Sequence, residues 1–463
     1  MERKAQKTFD FTQGPILGPL LKFIVPIFLA LALQALYGAV DLAIVGRFAE
    51  TGDISAVANG ADFMQMITFL MANLASGVTV LLGQKLGAGE RGEAGKIVGE
   101  ALVLFAIIMV IPTVLCTTLA GGICTILQVP EAAFEACTAY IRICSVGTVC
   151  IVAYNLIGSV FRGIGDSKMP LITVAISCVV NIAGDLLLVA VFHMGAAGAA
   201  IATVFAQGFS VVMSLIIMKK CGLPFDFNKS YIRFNARTSG MVLKLGAPIA
   251  LQGVLVSISF LFVMALVNKM GLTESAGVGV AQKVTNFVQL LPNSFSQAMA
   301  AFVAQNTGAR QMSRARRGMA YGMMVSGGIG VFIATFIIFK GELVASIFAS
   351  DPAVLAQAGL YLRAFAIECV LTSVMFNLVG YFSGQGKSVF VMVQGLIGGI
   401  GIRLPVAYLM SRLPETSVFY IGLATPCATL VQIVICFAYF AICLRKEKRD
   451  GLPDDNAVVD TAD

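Results

Sequence analysis

The chain reads as long apolar runs separated by short clusters of Gly, Pro and charged residues. An α-helix needs about 20 mostly apolar residues to cross the hydrocarbon core of a bilayer. Runs of that length fill almost the whole sequence and predict twelve spans. Their cores are residues 16–46, 54–83, 95–123, 132–161, 167–194 and 196–219, then 238–270, 274–305, 316–349, 353–383, 388–412 and 417–444. The two halves are therefore 16–219 and 238–444. Polar stretches at 1–15, 220–237 and 445–463 flank them, and the last is expected to be disordered from about Lys446. Met1–Lys7 is basic, but the apolar stretch after it is far longer than a signal-peptide core and is read as the first span.

The runs repeat. Gln84, Gly87 and Ala88 recur 221 residues later as Gln305, Gly308 and Ala309. At the same offset Tyr140 and Arg142 recur as Tyr361 and Arg363, and Phe161, Gly163, Gly165 and Ser167 as Phe382, Gly384, Gly386 and Ser388. Nearer the start the offset is 222, matching Lys22, Pro26, Ile27 and Leu29 to Lys244, Pro248, Ile249 and Leu251. A single-residue length change near the first loop reconciles the two. Six spans is an even number, so both halves enter the membrane with the same orientation, related by a pseudo-twofold along the membrane normal.

Charge sharpens this layout. The chain is 58% hydrophobic and 12% charged, with a mean hydropathy of +0.88. Soluble domains carry about 25% charged residues. With the N-terminus inside, 24 of the 32 Lys and Arg fall on the cytoplasmic side and four (Arg47, Lys269, Lys340 and Arg412) on the other. That bias places both termini in the cytoplasm of a cell that carries the chain in its cell membrane, as a multi-pass protein. It also accounts for the net charge of +7 without a nucleic-acid partner. The 11 cysteines are scattered through apolar runs with no paired spacing, which reads as buried thiols and no metal centre. His193 is the single histidine and is expected in a loop between spans. Trp is absent, leaving interfacial anchoring to Tyr and Phe.

The repeat also serves as a control for chemistry, because a residue needed by the fold tends to occur in both halves. Asp41 on span 1 faces Phe262 or Val263 in the repeat, and Asp185 on span 5 faces Val406. Asn181 maps to Ile402 and Thr203 to Ala424. All four are polar in the first half alone. A charged side chain in a span costs about 2.5–3.5 kcal/mol on insertion scales, so two carboxylates in one bundle point to function. Asn181 and Asp185 are one turn apart, and Gln34, Tyr37 and Asp41 share a helix face. Such oxygen ligands suit a proton or a hard monovalent cation such as sodium, and two carboxyls buried together titrate as a coupled pair. The structural alternative is that the acids cap loops or pair with an Arg.

Gln34 and Tyr37 are candidates for an adjoining substrate cavity. Glu368 on span 10, opposite Gly147 in the repeat, is a third candidate, with Arg363 or Lys283 as its structural partner if it serves the fold. Pro26 interrupts the backbone bonding of span 1 and is a candidate bend, although Pro248 repeats it. The stretch Gly384–Ser388 mimics part of a P-loop, but Tyr381 stands where a glycine is required and two spans flank it, so it reads as a tight turn. No nucleophile–base pair, metal cluster or phosphate motif supports a membrane enzyme.

These features together resemble the multidrug and toxic compound extrusion (MATE) family. The resemblance spans about residues 15–445 and rests on four features. They are the two six-span halves, the Gly83–Gly89 stretch with its echo at Ala304–Arg310, the Phe161–Ser167 stretch with its echo, and the set Asp41, Asn181, Asp185 and Thr203. It implies an all-α membrane protein of two six-helix lobes in a V around a central cavity, alternating between outward-open and inward-open states. It implies export of cationic amphipathic compounds, driven by inward proton or sodium movement, with the four-residue set as the cation site. The expected partners are small cationic molecules and membrane lipid, with the chain a monomer and no cofactor beyond the coupling ion. Some family members carry acids on the seventh span. This chain has Gln252 and Ser259 there, which favours coupling through the first lobe. A flippase for a lipid-linked precursor, or a metabolite exporter of the same superfamily, is the alternative. A flippase would call for extra spans and several groove cations, for which Lys283, Arg403, Arg142 and Arg363 are the candidates.

Overall fold

The computed structural model describes residues 9–449, which are helical apart from short connections and contain no strand. The first half supplies α1 (Leu17–Phe48), α2 (Thr51–Gly87), α3 (Arg91–Thr118), a bent α4 (Glu131–Val146 with Thr148–Gly163), α5 (Lys168–Val191) and α6 (Gly195–Lys220). The second supplies α7 (Ala236–Asn268), α8 (Leu272–Gly308), α9 (Met312–Ala345), α10 (Pro352–Gly384), α11 (Ser388–Met410) and α12 (Val418–Arg449). Ten of these are individually long and apolar enough to cross a membrane, and α4 joins them as a bent pair. The remaining helix, α8, is diluted by Gln282, Lys283, Asn286, Gln289 and Asn293. It is nonetheless a 37-residue helix, the same length as its repeat partner α2. The twelve-helix, two-half reading of the sequence therefore holds.

The turns show why certain residues recur. Gly165 and Gly386 close the twin turns with φ of 80° and 79°. Glycine adopts that left-handed conformation at no side-chain cost. The P-loop-like stretch around Gly386 is thus a helix–helix turn, as expected. His193 also has a positive φ, 53°, in the turn between α5 and α6. Pro26 and Pro248 lie inside α1 and α7, and both helices run through them unbroken. Spanning helices tolerate such prolines because neighbours take up the freed backbone groups.

The chain divides into two compact units. One contains Lys22–Ala250, and the other Phe11–Leu21 with the chain from Leu251 onward. The core of the first is built from Ile44, Val45, Ala56, Tyr140, Ile141 and Ala199, among others. That of the second is built from Val267, Val278, Ala281, Leu362, Ala366 and Ile421, among others. Small residues recur in both because helix pairs in lipid gain from close backbone approach rather than from water exclusion. The start of α7 packs with the first unit, where Gly246 lies against the backbone of Leu74 and Gly77 against Val242. The linker before it is docked on α3, with Asn235 Nδ2 donating to Glu100 Oε1 at 3.0 Å.

At the other end, α12 continues to Arg449, and Glu447 pairs with Arg316 at 2.7 Å. The tail is therefore ordered past Lys446, because an ion pair and a continuing helix hold it. The expectations for residues 1–8 and 450–463 lie outside the described residues.

Candidate functional site

Asp41 on α1, Asn181 and Asp185 on α5, and Thr203 on α6 all belong to the first unit. Asp41, Asn181 and Asp185 are buried, with relative exposures of 5%, 1% and 0%. The Asp41 and Asp185 carboxyls lie within hydrogen-bonding reach of each other. Two ionised carboxylates are both acceptors, so that contact becomes a bond only when one of them holds a proton. Asn181 Nδ2 donates to Thr203 Oγ1 at 3.4 Å. Asp41 Oδ1, Asn181 Oδ1 and both Asp185 oxygens have no protein donor. No Lys or Arg forms an ion pair with either acid among the described residues. The loop-capping carboxylate is a different one: Asp53 accepts from the Ala196 N–H at 3.0 Å, at the start of α6.

Buried polar atoms in folded proteins are almost always paired. Here four oxygens converge with no donor aimed at them. A bound proton, or a hard cation with oxygen ligands, meets that shortage directly, and the donor set fits sodium as well as a proton. The winding of α5 supports the placement. It is regular up to Asp185 and then widens into a π-helical turn over Leu186–Val191. Such turns occur frequently at functional sites.

A polar network adjoins these acids. Gln34 Nε2 donates to the Tyr154 hydroxyl at 2.8 Å. Tyr37 lies within hydrogen-bonding reach of Gln207 and within the electrostatic field of Asp41, as does Tyr140. Sequence reasoning named Gln34 and Tyr37 but missed Tyr154 and Gln207. The repeat comparison contained the signal, since Tyr154 stands opposite Met375 and Gln207 opposite Ala428. Gln207 is also one helical turn beyond Thr203.

Glu368 belongs to the second unit and is 4% exposed. Its Oε1 accepts from Thr372 Oγ1 and Thr429 Oγ1, each at 2.8 Å. The cation in its electrostatic field is Arg403, not the Arg363 or Lys283 expected from sequence. Proximity along α10 suggested Arg363, but that residue is exposed while Glu368 is buried. Pro26 is buried in the first unit, upstream of Asp41 on the same continuous helix.

The MatE family model matches this chain twice, over residues 26–187 and 248–409. The two matches fall on the two halves of the repeat. The chain is 24% identical over 433 residues to the probable multidrug resistance protein YoeA of Bacillus subtilis, covering 92% of this chain and 94% of the relative. It is 20% identical over 447 residues to the multidrug export protein MepA of Staphylococcus haemolyticus, covering 93% and 96%. Among solved structures it resembles a MATE in the bent conformation, with a TM-score of 0.90, 18% identity and coverage of 97% of this chain and all (100%) of the other. It resembles a MATE in the straight conformation equally, at 0.89 and 18% identity, covering 96% of this chain and 100% of that one. A double match over most of the chain, on helices that the repeat already pairs, leaves one assignment: the chain belongs to the MatE family, whose members are multi-pass membrane transporters rather than enzymes.

Proposed function

We propose that this protein is an antiporter that exports cationic amphipathic compounds, coupled to inward movement of a proton or sodium. The observation that carries the reading is the facing pair Asp41 and Asp185, buried with Asn181 beside the half-buried Thr203 and without a positive partner. The names of the relatives YoeA and MepA support the export of drugs. In this reading Asp41 and Asp185 hold the coupling ion and Asn181 and Thr203 supply neutral oxygens. Gln34 and Tyr37 line the adjoining path for substrate. Substrate and ion favour opposite-facing states, which is the thermodynamic condition for coupling. Pro26, which leaves the carbonyl one turn earlier without its helical partner, lets α1 bend as Asp41 changes its occupancy. The 24-to-4 distribution of Lys and Arg supports a cell-membrane protein with both termini cytoplasmic.

The flippase alternative requires free cations in a groove to hold phosphate. Arg403, the buried one of its four candidates, is instead engaged by Ser259 and Phe260, which weighs against it. The test uses proteoliposomes loaded with a fluorescent cationic dye, under a sodium gradient and a proton gradient applied separately. Gradient-driven dye movement by the parent, lost in Asp41→Asn, is the expected result and identifies the ion. Equal movement by parent and variant would sink the mechanism.

A further inference from the structure

Among the described residues, Glu368 and Arg403 are the only buried charged side chains of the second unit. Four helices bring them together. Glu368 on α10 is held by Thr372 on its own helix and Thr429 on α12. Arg403 ends a π-helical turn of α11, Ile397–Arg403. Its Nη1 donates to Ser259 Oγ on α7 at 2.7 Å, and its guanidinium carbon lies 4.1 Å from the centroid of the Phe260 ring. Glycines shape the turn, with Gly395 against Gln252 and Gly398 against Gln432. α12 joins the two: Thr429, which holds Glu368, is one turn from Gln432, which packs against Gly398 in the turn that ends at Arg403, so each charge lies in the field of the other, with Tyr361 and Cys369 the other titratable groups near Glu368. The two do not form a contact ion pair, and Glu368 Oε2 and Arg403 Nε lack protein partners.

A guanidinium stays protonated at any pH a cell meets. Buried alone, it would carry a desolvation penalty of several kcal/mol. Glu368 is the one buried carboxylate in this unit available to balance it. Among the described residues, the first unit buries carboxylates and no cation: Asp41 and Asp185 face each other, and Glu100 and Asp166 lie elsewhere. We propose that Arg403 is a resident counter-cation: as part of the chain, it fills the role that an exchangeable ion would otherwise take beside Glu368. Arg403 is thus a positioning residue, and its consequence is that the second unit carries no ion load in the cycle. That consequence rests on the coupling role proposed for Asp41 and Asp185. The pairing itself does not.

The experiment counts cations bound by the purified full chain at neutral pH. Sodium is measured by equilibrium dialysis with radioactive sodium, and protons by back-titration. Arg403→Gln is expected to bind a single additional cation per molecule, and the gain is expected to vanish in the double variant Arg403→Gln/Glu368→Gln. Glu368→Gln alone and Arg403→Lys are expected to match the parent. An unchanged count in folded Arg403→Gln overturns the proposal. So does a count in Glu368→Gln below the parent's, because Glu368 would then already hold an exchangeable cation. If Arg403→Gln does not yield a monodisperse protein, the Glu368→Gln and Arg403→Lys counts decide. Failure of the coupling reading shows separately, as absence of gradient-driven dye flux by the parent.

Discussion

The bent α4 and the straight α10 occupy the same place in the repeat and differ at its middle. In the first half the helix breaks at Gly147, and its two pieces meet at 50°. In the second half Glu368 stands at that position, and α10 runs without a break from Pro352 to Gly384. The neighbours explain the difference. Gly147 lies so close to Val204 of α6 that a Cβ there would overlap the Val204 side chain. The twins of Val204 and Gly208 are Thr425 and Thr429, and Thr429 donates to Glu368. A small residue admits an apolar neighbour and bends. A carboxylate held by two hydroxyl donors puts a charge in the core of a helix that runs unbroken. The two halves thus place their buried charges at different positions of the repeat, Asp41 and Asp185 in the first and Glu368 and Arg403 in the second.

Four groups of substitutions test that asymmetry. The largest effect is expected at the acids of the first half. Asp41→Asn or Asp185→Asn should reduce gradient-driven dye flux to that of protein-free liposomes, while Val406→Asn, at the twin of Asp185, should leave coupling in place. If Val406→Asn abolishes flux as completely, the halves are not specialised.

Next is the charge pair of the second half. Removing one partner of a buried pair costs about 3–5 kcal/mol. Arg403→Leu should therefore lower the thermal midpoint in detergent markedly. The double variant Arg403→Leu/Glu368→Leu should recover part of the loss, and a strictly additive loss would show that the two charges do not balance each other.

A smaller cost is expected at the bend. Overpacking a close contact costs about 1–3 kcal/mol. Gly147→Leu should destabilise by that amount and Val204→Ala should rescue it. A Gly147→Leu protein as stable as the parent would mean that the bend has another cause. The smallest effect separates the prolines. Pro26→Ala should slow dye transport partially, and Pro248→Ala should slow it less, since α7 carries no acid. Equal slowing, measured as initial flux, would assign both prolines to the fold.

Much of this was readable before any coordinates. The run lengths predicted twelve helices, and the offset of 221 paired α2 with α8 at equal length. The polar-in-one-half criterion selected Asp41, Asn181, Asp185 and Thr203, which the fold gathers in one unit. It would also have selected Tyr154 and Gln207 had it been applied to them. The partner of Glu368 was not readable. Arg363 and Lys283 were the expected ones, yet Arg403 stands there, buried at the end of the π-helical turn of α11. Nor was the order beyond Lys446 readable, since the Arg316–Glu447 pair joins residues far apart in the chain.

The sequence by itself determined the number of spans, their pairing by repeat and the helix face each polar residue occupies. Period and length are local properties, and a bilayer enforces them by penalising every unpaired backbone group. The tertiary structure alone decided that Asp41 meets Asp185, that α4 bends at Gly147, and that Arg403 balances Glu368. Those outcomes depend on which helices approach closely enough to touch. In lipid that is settled by packing at small residues and by matching of buried polar groups, neither of which leaves a period in the chain.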